Sequence, residues 1–333
     1  MRKLTYYTLL CLILIAARST AQHIEILQQG QPTSIRGLSV VDDNVAWISG
    51  SKGHIAITSD GGKTWTWKLV KGFEQSDFRD IEAFSNKKAI IMSSGTPALI
   101  LKTIDGGENW QVKYKNVDTA YFFDAMDFNT PKHGLVLGDP IGGKFLMMET
   151  NDDGETWQSF KNPPDALPGE AAFAASGTCL RLSCGYLYIV TGGSSARLLT
   201  NWGKKTWDYN KLPVSHGKPS QGGFSIACGD NFSVLVGGDY ANDKKTDSVA
   251  ATQRTGNSFV LSTKGPAGFQ SCVEHISTQT FLSAGTPGSN ITTDGGKTWT
   301  KIDNISYNVC RRAKNGKLVL LAGDKGKIGI FKP

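Results

Sequence analysis

Cysteine and histidine are scarce in this chain of 333 residues, and neither type is clustered. The 5 histidines are scattered and no Cys-x-x-Cys spacing occurs, so we expect no zinc site and no bound metal. An odd number of cysteines follows residue 21, so they cannot all pair: Cys179, Cys184, Cys228, Cys272 and Cys310. We predict that the last three fill inner strands as small apolar residues. Cys179 and Cys184 flank a short turn, and the sequence leaves open whether they form a disulfide.

A strong excess of charge of one sign is also missing. The formal net charge of +7 includes Arg2, Lys3 and Arg18, and removing these from the 36 basic residues leaves 33 against 29 acidic residues, a net charge of +4. This mild balance gives little support for a nucleic-acid partner. Dinucleotide-binding and haem-attachment motifs are absent as well, so no cofactor is expected.

Long apolar runs are confined to the N-terminal segment. Residues 1–21 have the pattern of a secretory signal peptide, with a charged start, an apolar run over residues 6–16 and small residues up to Ala21. The run is too short for a comfortable membrane span, and no later stretch could cross a bilayer. We therefore expect cleavage near Ala21 and Gln22, export to the periplasm or the medium, and one mature domain over residues 22–333.

One phrase recurs along the rest of the chain, in which a threonine stands two residues before an aspartate and a tryptophan five residues after it. The clear copies contain Asp60 and Trp65, Asp105 and Trp110, Asp152 and Trp157, and Asp294 and Trp299. A further copy keeps Trp207 but has Trp202 in place of the aspartate. Self-similarity at a regular spacing of roughly 45 residues is typical of a repeat architecture.

The chemistry of the phrase suits a tight turn between two strands. The aspartate and threonine side chains can accept hydrogen bonds from turn amides, and glycine supplies the positive φ. The tryptophan then covers the turn with an apolar ring. We interpret the four aspartates as structural, in preference to catalytic or metal-binding carboxylates.

Seven units share the same order of strands and loops. Each has an inner strand, a second apolar strand, a glycine-rich loop and a third strand; the second strands fall at 45–50, 89–92, 134–139, 187–190, 234–239, 281–285 and 318–324. This pattern predicts an all-β, seven-bladed β-propeller with four antiparallel strands per blade. The last unit stops after three strands, so we predict that residues 23–27 pair with residues 327–331 and close the ring.

The phrase resembles the Asp-box, or BNR repeat, of sialidases, sortilin-type receptors and several glycan-degrading propellers. In those families the box connects the third and fourth strands, away from the ligand site. Two features are more similar to photosystem II stability/assembly factor-like propellers. One is the glycine-rich loop and apolar strand over residues 50–58 that lead into the first box, and the other is the pair of glycines after Asp60, Asp105 and Asp294. That resemblance covers the mature chain and implies an exported, non-enzymatic binding or assembly protein. Some bacterial relatives carry the label oxidoreductase, but no redox motif occurs in this sequence.

A propeller gathers its ligands where the inner strands begin and where the loops between second and third strands open. We therefore predict a funnel of polar residues on that face: Arg36, Arg79, Asp80, Asp124, Glu170, Asp239, Tyr307 and Asp324. The expected partner is an envelope protein or a glycan, bound by a monomeric protein. The glycine-rich loops 192–195 and 237–239 precede no helix, so we interpret them as tight turns and not as phosphate loops.

The alternative function is a sialidase-like or other Asp-box glycoside hydrolase. Sialidases use an arginine triad, a tyrosine nucleophile assisted by glutamate, and an aspartate acid/base. Resemblance would assign these roles to Arg36, Asp80, Glu170 and Tyr307, with Arg79 or Arg312 extending the arginine cluster and Glu274 nearby. In sialidases an arginine is followed by Ile-Pro, whereas Arg36 is followed by Gly37. Sialidases also have six blades. Other hydrolases place two carboxylates across the channel, for which Asp124 with Asp239 or Glu170 with Asp324 are candidates.

Overall fold

A computed structural model describes residues 22–333 with the exception of positions 184, 202, 204, 205 and 255. The predicted signal peptide, Cys184 and Trp202 lie outside the described residues. Within the described part of the chain, no helix has the length and apolar character needed to cross a bilayer.

The strands form seven antiparallel sheets, and the sheets are the blades of a propeller. A first strand, β1 (His23–Gln28), precedes blade 1. Blade 1 contains β2 (Ile35–Val40), β3 (Ala46–Gly50), β4 (His54–Thr58) and β5 (Thr66–Leu69). Blade 2 contains β6 (Asp77–Ala83), β7 (Ala89–Ser94), β8 (Ala98–Thr103) and β9 (Gln111–Asn116). Blade 3 contains β10 (Phe123–Phe128), β11 (Gly134–Ile141), β12 (Lys144–Thr150) and β13 (Gln158–Ser159).

Blades 4 and 5 are joined by two extra strands, β14 (Glu170–Ala171) and β17 (Gly192–Gly193). Blade 4 contains β15 (Leu180–Ser183), β16 (Tyr186–Val190), β18 (Arg197–Asn201) and β19 (Asp208–Lys211). Blade 5 contains β20 (Lys218–Cys228), β21 (Phe232–Asp239), β22 (Ala250–Arg254) and β23 (Val260–Leu261), with a short 3-10 turn at Tyr240–Asn242. Blade 6 contains β24 (Cys272–Ser277), β25 (Thr280–Ala284), β26 (Asn290–Thr292) and β27 (Thr300–Lys301). Blade 7 contains β28 (Val309–Arg312), β29 (Val319–Gly323) and β30 (Lys327–Lys332), and β1 is its fourth strand.

Closure of the ring follows the sequence prediction. Strand β1 pairs antiparallel with β30, Ile24 opposite Phe331 and Ile26 opposite Gly329. Ile24 is buried in a core cluster that extends from blade 7 into blade 1. Strand β1 therefore completes blade 7, for which the last repeat supplies only three strands. This pairing covers the edge of β30 that would otherwise be open. The seven-bladed, four-stranded fold is confirmed.

Burial is greatest in the middle strands of blades 1 and 2 and is low in the outer strands. Every residue of β3, β7 and β8 is buried, because these strands have another blade on each face. The outer strand β19 is exposed along its whole length. Trp47 and Phe78, both fully buried, belong to one of the apolar clusters between blades 1 and 2.

The repeated phrase connects the third and fourth strands of a blade. Asp60 accepts hydrogen bonds from the Thr58 hydroxyl (2.8 Å), the Thr64 amide (3.0 Å) and the Thr64 hydroxyl (2.6 Å). These bonds, the Thr64 hydroxyl first, lower the pKa of Asp60 to about 2. Asp105, Asp152 and Asp294 make the same pattern. Trp65 donates its indole N–H back to the Gly62 carbonyl, and Trp157, Trp207 and Trp299 are buried.

Two boundary predictions in blade 4 are wrong. The inner strand of blade 4 begins at Leu180 and not near Glu170, because the intervening segment makes hydrogen bonds to other blades. Gly192 and Gly193 form β17, which pairs with β14 and β20, in place of a tight turn. The cysteine prediction is confirmed in part, since Cys228, Cys272 and Cys310 lie on inner strands and form no disulfide. Cys179 is also a free thiol, and its proposed partner lies outside the described residues.

Candidate functional site

Four inner strands carry a β-bulge, and in three of them it is close to the start of the strand. The pairing register shifts at Arg36 in β2, Arg79 in β6, Asp124 in β10 and Phe224 in β20. A bulge inserts one extra residue and redirects its side chain relative to the regular alternation. All four side chains line a single cavity at the face where the inner strands begin.

We call this space the upper cavity. It has a volume of about 460 Å³ and combines charged side chains with aromatic rings. The charged residues are Arg36, Arg79, Asp124, Asp139 and Asp324, and the aromatic residues are Phe122, Phe173, Phe224, Tyr240 and Phe269. Phe224 stacks on Phe173 with centroids 3.9 Å apart and meets Phe269 edge-on at 4.7 Å. Such a surface can bind both ionic and apolar groups of a ligand.

The cations of the upper cavity are held by neighbouring groups. Arg36 donates to the Ala175 carbonyl (3.3 Å), and burial together with nearby Arg79 lowers its pKa. Arg79 donates to Asp77 (2.7 Å) and lies 5.9 Å from the centre of the Phe122 ring. Because two guanidinium groups face the same space, a carboxylate entering it would relieve their repulsion.

Asp324 lies at the rim of the cavity and is fixed by two donors. The Ser34 hydroxyl donates to it at 2.5 Å and the Asn308 amide at 3.0 Å. Burial acts to raise the pKa of Asp324, but these hydrogen bonds and the charge of Arg36 outweigh it, so the pKa is lowered. Asp324 therefore carries a negative charge next to Arg36.

The floor of the upper cavity is a segment that no sequence signal marked, residues 172–178. We call it the cross-channel segment. Its Ala175 carbonyl meets Arg36 of blade 1, and Gly177 packs against Asp80 of blade 2. The Ala174 amide hydrogen-bonds Asp124 of blade 3.

The same segment also binds the remaining blades. Thr178 donates to the Ser225 hydroxyl of blade 5 at 2.6 Å, and the Ser176 hydroxyl donates to the Ser271 carbonyl at the start of blade 6 at 2.8 Å. Arg311 of blade 7 donates to the Ser176 carbonyl at 3.1 Å. One short segment of blade 4 thus contacts the inner edge of all six other blades, and it lies between the upper cavity and a second cavity below.

The second space, the lower cavity, has a volume of about 330 Å³ and is lined by the ends of the inner strands. Two ion pairs lie in its wall, Arg181 with Glu274 at 3.1 Å and Lys314 with Glu82. Asp80 accepts from the amides of Ile81 (2.9 Å) and Met126 (2.7 Å). Burial raises the pKa of Asp80 to about 7, although Arg311 and the two amides act against it. Because the ion pairs and the amide bonds to Asp80 all join groups of the protein, we interpret the lower cavity as structural.

The structure brings together Arg36, Arg79, Asp124 and Asp324 of the predicted funnel, and it places the other predicted residues elsewhere. Asp80 is 2 % exposed and lies at the lower cavity, because it follows the bulge at Arg79. Asp239 accepts from the Gln221 amide (3.0 Å) and caps the turn at Tyr240–Asn242.

Glu170 and Tyr307 are sequestered. The Glu170 carboxylate has no exposed surface and binds Arg197 at 2.5 and 2.8 Å and Thr191 at 2.6 Å. Tyr307 is fully buried in the core shared by blades 7 and 1, where its hydroxyl has no hydrogen-bond partner. Burial raises the pKa of Tyr307, which opposes a role as nucleophile. The four residues of the hydrolase alternative therefore do not meet in one cavity.

Comparison with known proteins agrees with the resemblance read from the sequence. Residues 17–116 match the family model described as Photosynthesis system II assembly factor YCF48, and residues 291–301 match the BNR/Asp-box repeat. The chain is 27% identical over 148 residues to Photosystem II assembly lipoprotein Ycf48 of Synechococcus sp. (strain CC9902), covering 43% of this chain and 41% of the relative. It is 34% identical over 67 residues to Photosystem II stability/assembly factor HCF136, chloroplastic, of Arabidopsis thaliana, covering 19% and 16%.

These matches span less than half the length of either curated relative. Among solved structures, one described as YCF48 bound to D1 peptide superimposes with a TM-score of 0.66 at 18% identity, over 93% of this chain and 97% of that one. At this identity the likeness establishes the fold. The similarity to photosystem II assembly factor-like propellers is confirmed by the family model, the two relatives and the solved structure together.

Proposed function

We propose that this chain is an exported, photosystem II assembly factor-like scaffold that binds a segment of an envelope protein in its upper cavity. The observation that carries the proposal is the cavity itself, which combines Arg36, Arg79 and Asp324 with a set of aromatic rings. The family model and the two curated relatives support an assembly role over a glycoside hydrolase. A structural neighbour described as bound to D1 peptide supports a protein partner.

The geometry favours a peptide that enters from one face. The cross-channel segment blocks the axis below the cavity, so a ligand cannot thread through the ring. Arg36 and Arg79 can bind a carboxylate of the partner, and Phe224 and Tyr240 can pack against its apolar side chains. A short peptide with an acidic group next to apolar residues fits this combination.

Export and oligomeric state belong to the same proposal. Residues 1–21 would direct export, with cleavage near Ala21 and Gln22 and residues 22–333 as one mature domain. The Synechococcus relative is described as a lipoprotein, which supports a location in the cell envelope. N-terminal sequencing of the mature protein tests the cleavage site, and light scattering tests the expected monomer.

The test of partner binding is selection from a random peptide library displayed on phage, with residues 22–333 as bait. The variant Arg36→Ala/Arg79→Ala removes the two cations of the cavity. The matched control, Lys63→Ala/Lys297→Ala, removes two exposed cations from the box turns of blades 1 and 6. We expect peptides selected by the wild type to bind the control equally and the cavity variant about tenfold more weakly or worse.

Two outcomes would contradict the proposal. One is a selection that yields no peptide above background, and the other is equal binding by the cavity variant. The same proteins are applied to an array of sialosides and of glucan, xyloglucan and arabinan oligosaccharides. Binding or turnover that Arg36→Ala/Arg79→Ala abolishes would replace the protein partner with a glycan.

A further inference from the structure

We infer that Asp124 and Asp139 form a subsite within the upper cavity for a positively charged side chain of the partner, the ammonium of lysine or the guanidinium of arginine. This inference rests on the proposed function and names one feature of the ligand. It starts from two carboxylate oxygens that lack partners. Oδ2 of Asp124 and Oδ1 of Asp139 are buried without a hydrogen bond, and both residues line the cavity.

The two carboxyl groups are held in position by the floor of the cavity. Asp124 is the bulged residue of β10, and Asp139 follows Gly138 on the neighbouring strand β11. The backbone N–H of Ala174 hydrogen-bonds Asp124, and that of Ala172 hydrogen-bonds Asp139. Each carboxyl group therefore accepts a hydrogen bond from the cross-channel segment, while one of its oxygens can still accept a hydrogen bond from a ligand.

The cations of the protein do not satisfy these oxygens. Arg79 acts on Asp124 electrostatically, but its Nε donates to Asp77, and Arg36 donates to the Ala175 carbonyl. Asp124 lines the upper cavity but is 1 % exposed, so its carboxyl group is largely desolvated. A buried acceptor without a donor is unfavourable, and a cationic ligand would supply the missing donors.

The electrostatics agree with a cation subsite. Burial and then the neighbouring Asp139 raise the pKa of Asp124 well above its ordinary value, and burial also raises the pKa of Asp139. Two desolvated carboxyl groups in one cavity repel each other when both are ionised. A bound ammonium or guanidinium would favour the ionised pair, so its binding would release protons.

The surrounding rings favour an organic cation over a metal ion. Phe122, Phe173, Phe224 and Tyr240 line the same cavity, and aromatic faces attract ammonium and guanidinium groups while covering the aliphatic stem of a long side chain. Among the described residues, no set of three or more His, Cys, Asp or Glu side chains is arranged to hold a metal ion. With Arg36 and Arg79 in the same space, the cavity would recognise a peptide that carries both a basic and an acidic group.

The experiment compares peptides selected from the displayed library by the wild type, Asp124→Asn, Asp139→Asn and the control Asp118→Asn. Asp118 is an exposed carboxylate in the connection that leads into β10, and it does not line the cavity. We expect the wild type and the control to select peptides enriched in lysine or arginine. Replacing that basic residue by glutamine should weaken binding to the wild type about tenfold and leave binding to Asp139→Asn nearly unchanged.

A second measurement does not depend on finding a peptide. The amide NMR signals of Ala172 and Ala174 are followed during titration with n-butylammonium and, separately, with n-butanol. We expect saturable shifts with the cation in the wild type and the control, no such shifts in Asp139→Asn, and none with the alcohol. Far-UV circular dichroism tests whether both variants are folded. If Asp124→Asn is unfolded, Asp139→Asn alone serves as the subsite variant.

The outcomes separate the two hypotheses. Selected peptides that depend on Arg36 and Arg79 but show no basic preference would overturn the subsite and leave the proposed function standing. A basic preference that persists in Asp139→Asn would also overturn it. If no peptide is selected, the proposed function fails, and the response to n-butylammonium then decides the subsite by itself.

Discussion

Gly177 lies where the cross-channel segment passes closest to Asp80, so Gly177→Ala tests whether this segment is fixed within the channel. The φ of Gly177 is +67, in the left-handed region, and a Cβ atom there would overlap Cγ and both oxygens of Asp80. Asp80 is 2 % exposed and accepts hydrogen bonds from the Ile81 and Met126 amides. Its carboxyl group therefore cannot turn away without breaking these bonds.

The expected loss has two parts. A left-handed conformation costs alanine about 1–2 kcal/mol relative to glycine. Forcing extra volume into a packed interior costs a further 1–3 kcal/mol, roughly. The control Gly142→Ala has nearly the same backbone, with φ of +61 in the turn between β11 and β12, but no heavy atom lies within 4 Å of its added Cβ. We therefore expect a loss of about 2–5 kcal/mol for Gly177→Ala and about 1–2 kcal/mol for the control.

The assay is urea unfolding of residues 22–333 near neutral pH, followed by tryptophan fluorescence and far-UV circular dichroism. The free energies of unfolding of both variants are compared with that of the wild type. The difference between the variants isolates the contact with Asp80, since both carry the same backbone strain. If the two losses agree within about 0.5 kcal/mol, the segment is not held against Asp80 and the closed channel is refuted.

Three further predictions concern closure, the box turns and pH. Deleting residues 22–28 removes the outer strand of blade 7, so the urea midpoint should fall sharply; an unchanged midpoint would rule out the closure described for β1. Asp60→Ala should lower the thermal midpoint, because Thr64 loses its acceptor, and should leave peptide affinity per folded molecule unchanged; lost binding by a folded variant would mean that the turn contacts the ligand. The pKa of Asp80 is raised from 3.8 to about 7, so the folded state binds more protons between these values and stability should fall as pH rises across that window, by up to about 4 kcal/mol. Asp80→Asn should flatten this fall, and a variant with the wild-type pH slope would show that another group titrates.

Several features of this protein were predictable because they depend on residues close together in the chain. The turn around Asp60 is built by Thr58 and Thr64, two and four residues away, so its hydrogen bonds follow from the local pattern. Closure by β1 was predictable for a different reason: the last unit lacks one strand, and the strand over residues 23–27 has no blade of its own. In the first case the interacting groups are neighbours in the sequence, and in the second case a count of strands identifies the partner.

Position along a repeat does not give position in the funnel for Asp80, Glu170, Asp239 and Tyr307, and the clearest cases are Glu170 and Tyr307. Glu170 is bound by Arg197, a partner 27 residues away whose location depends on the extra strands between blades 4 and 5. Tyr307 precedes an inner strand, as expected, but its ring turns into the core against blade 1. Side-chain direction at these positions depends on neighbours that no local pattern identifies.

The sequence by itself determined the seven repeats, the box turns and the closure of the ring, because short-range hydrogen bonds and apolar alternation specify strands and turns. Only the tertiary structure decided where the cavity lies and what it contains. Bulges at Arg36, Arg79 and Asp124 direct these side chains into the channel, and residues 172–178 close its axis by contacts with six other blades. Those contacts join residues from all parts of the chain, so they exist only once the ring has formed.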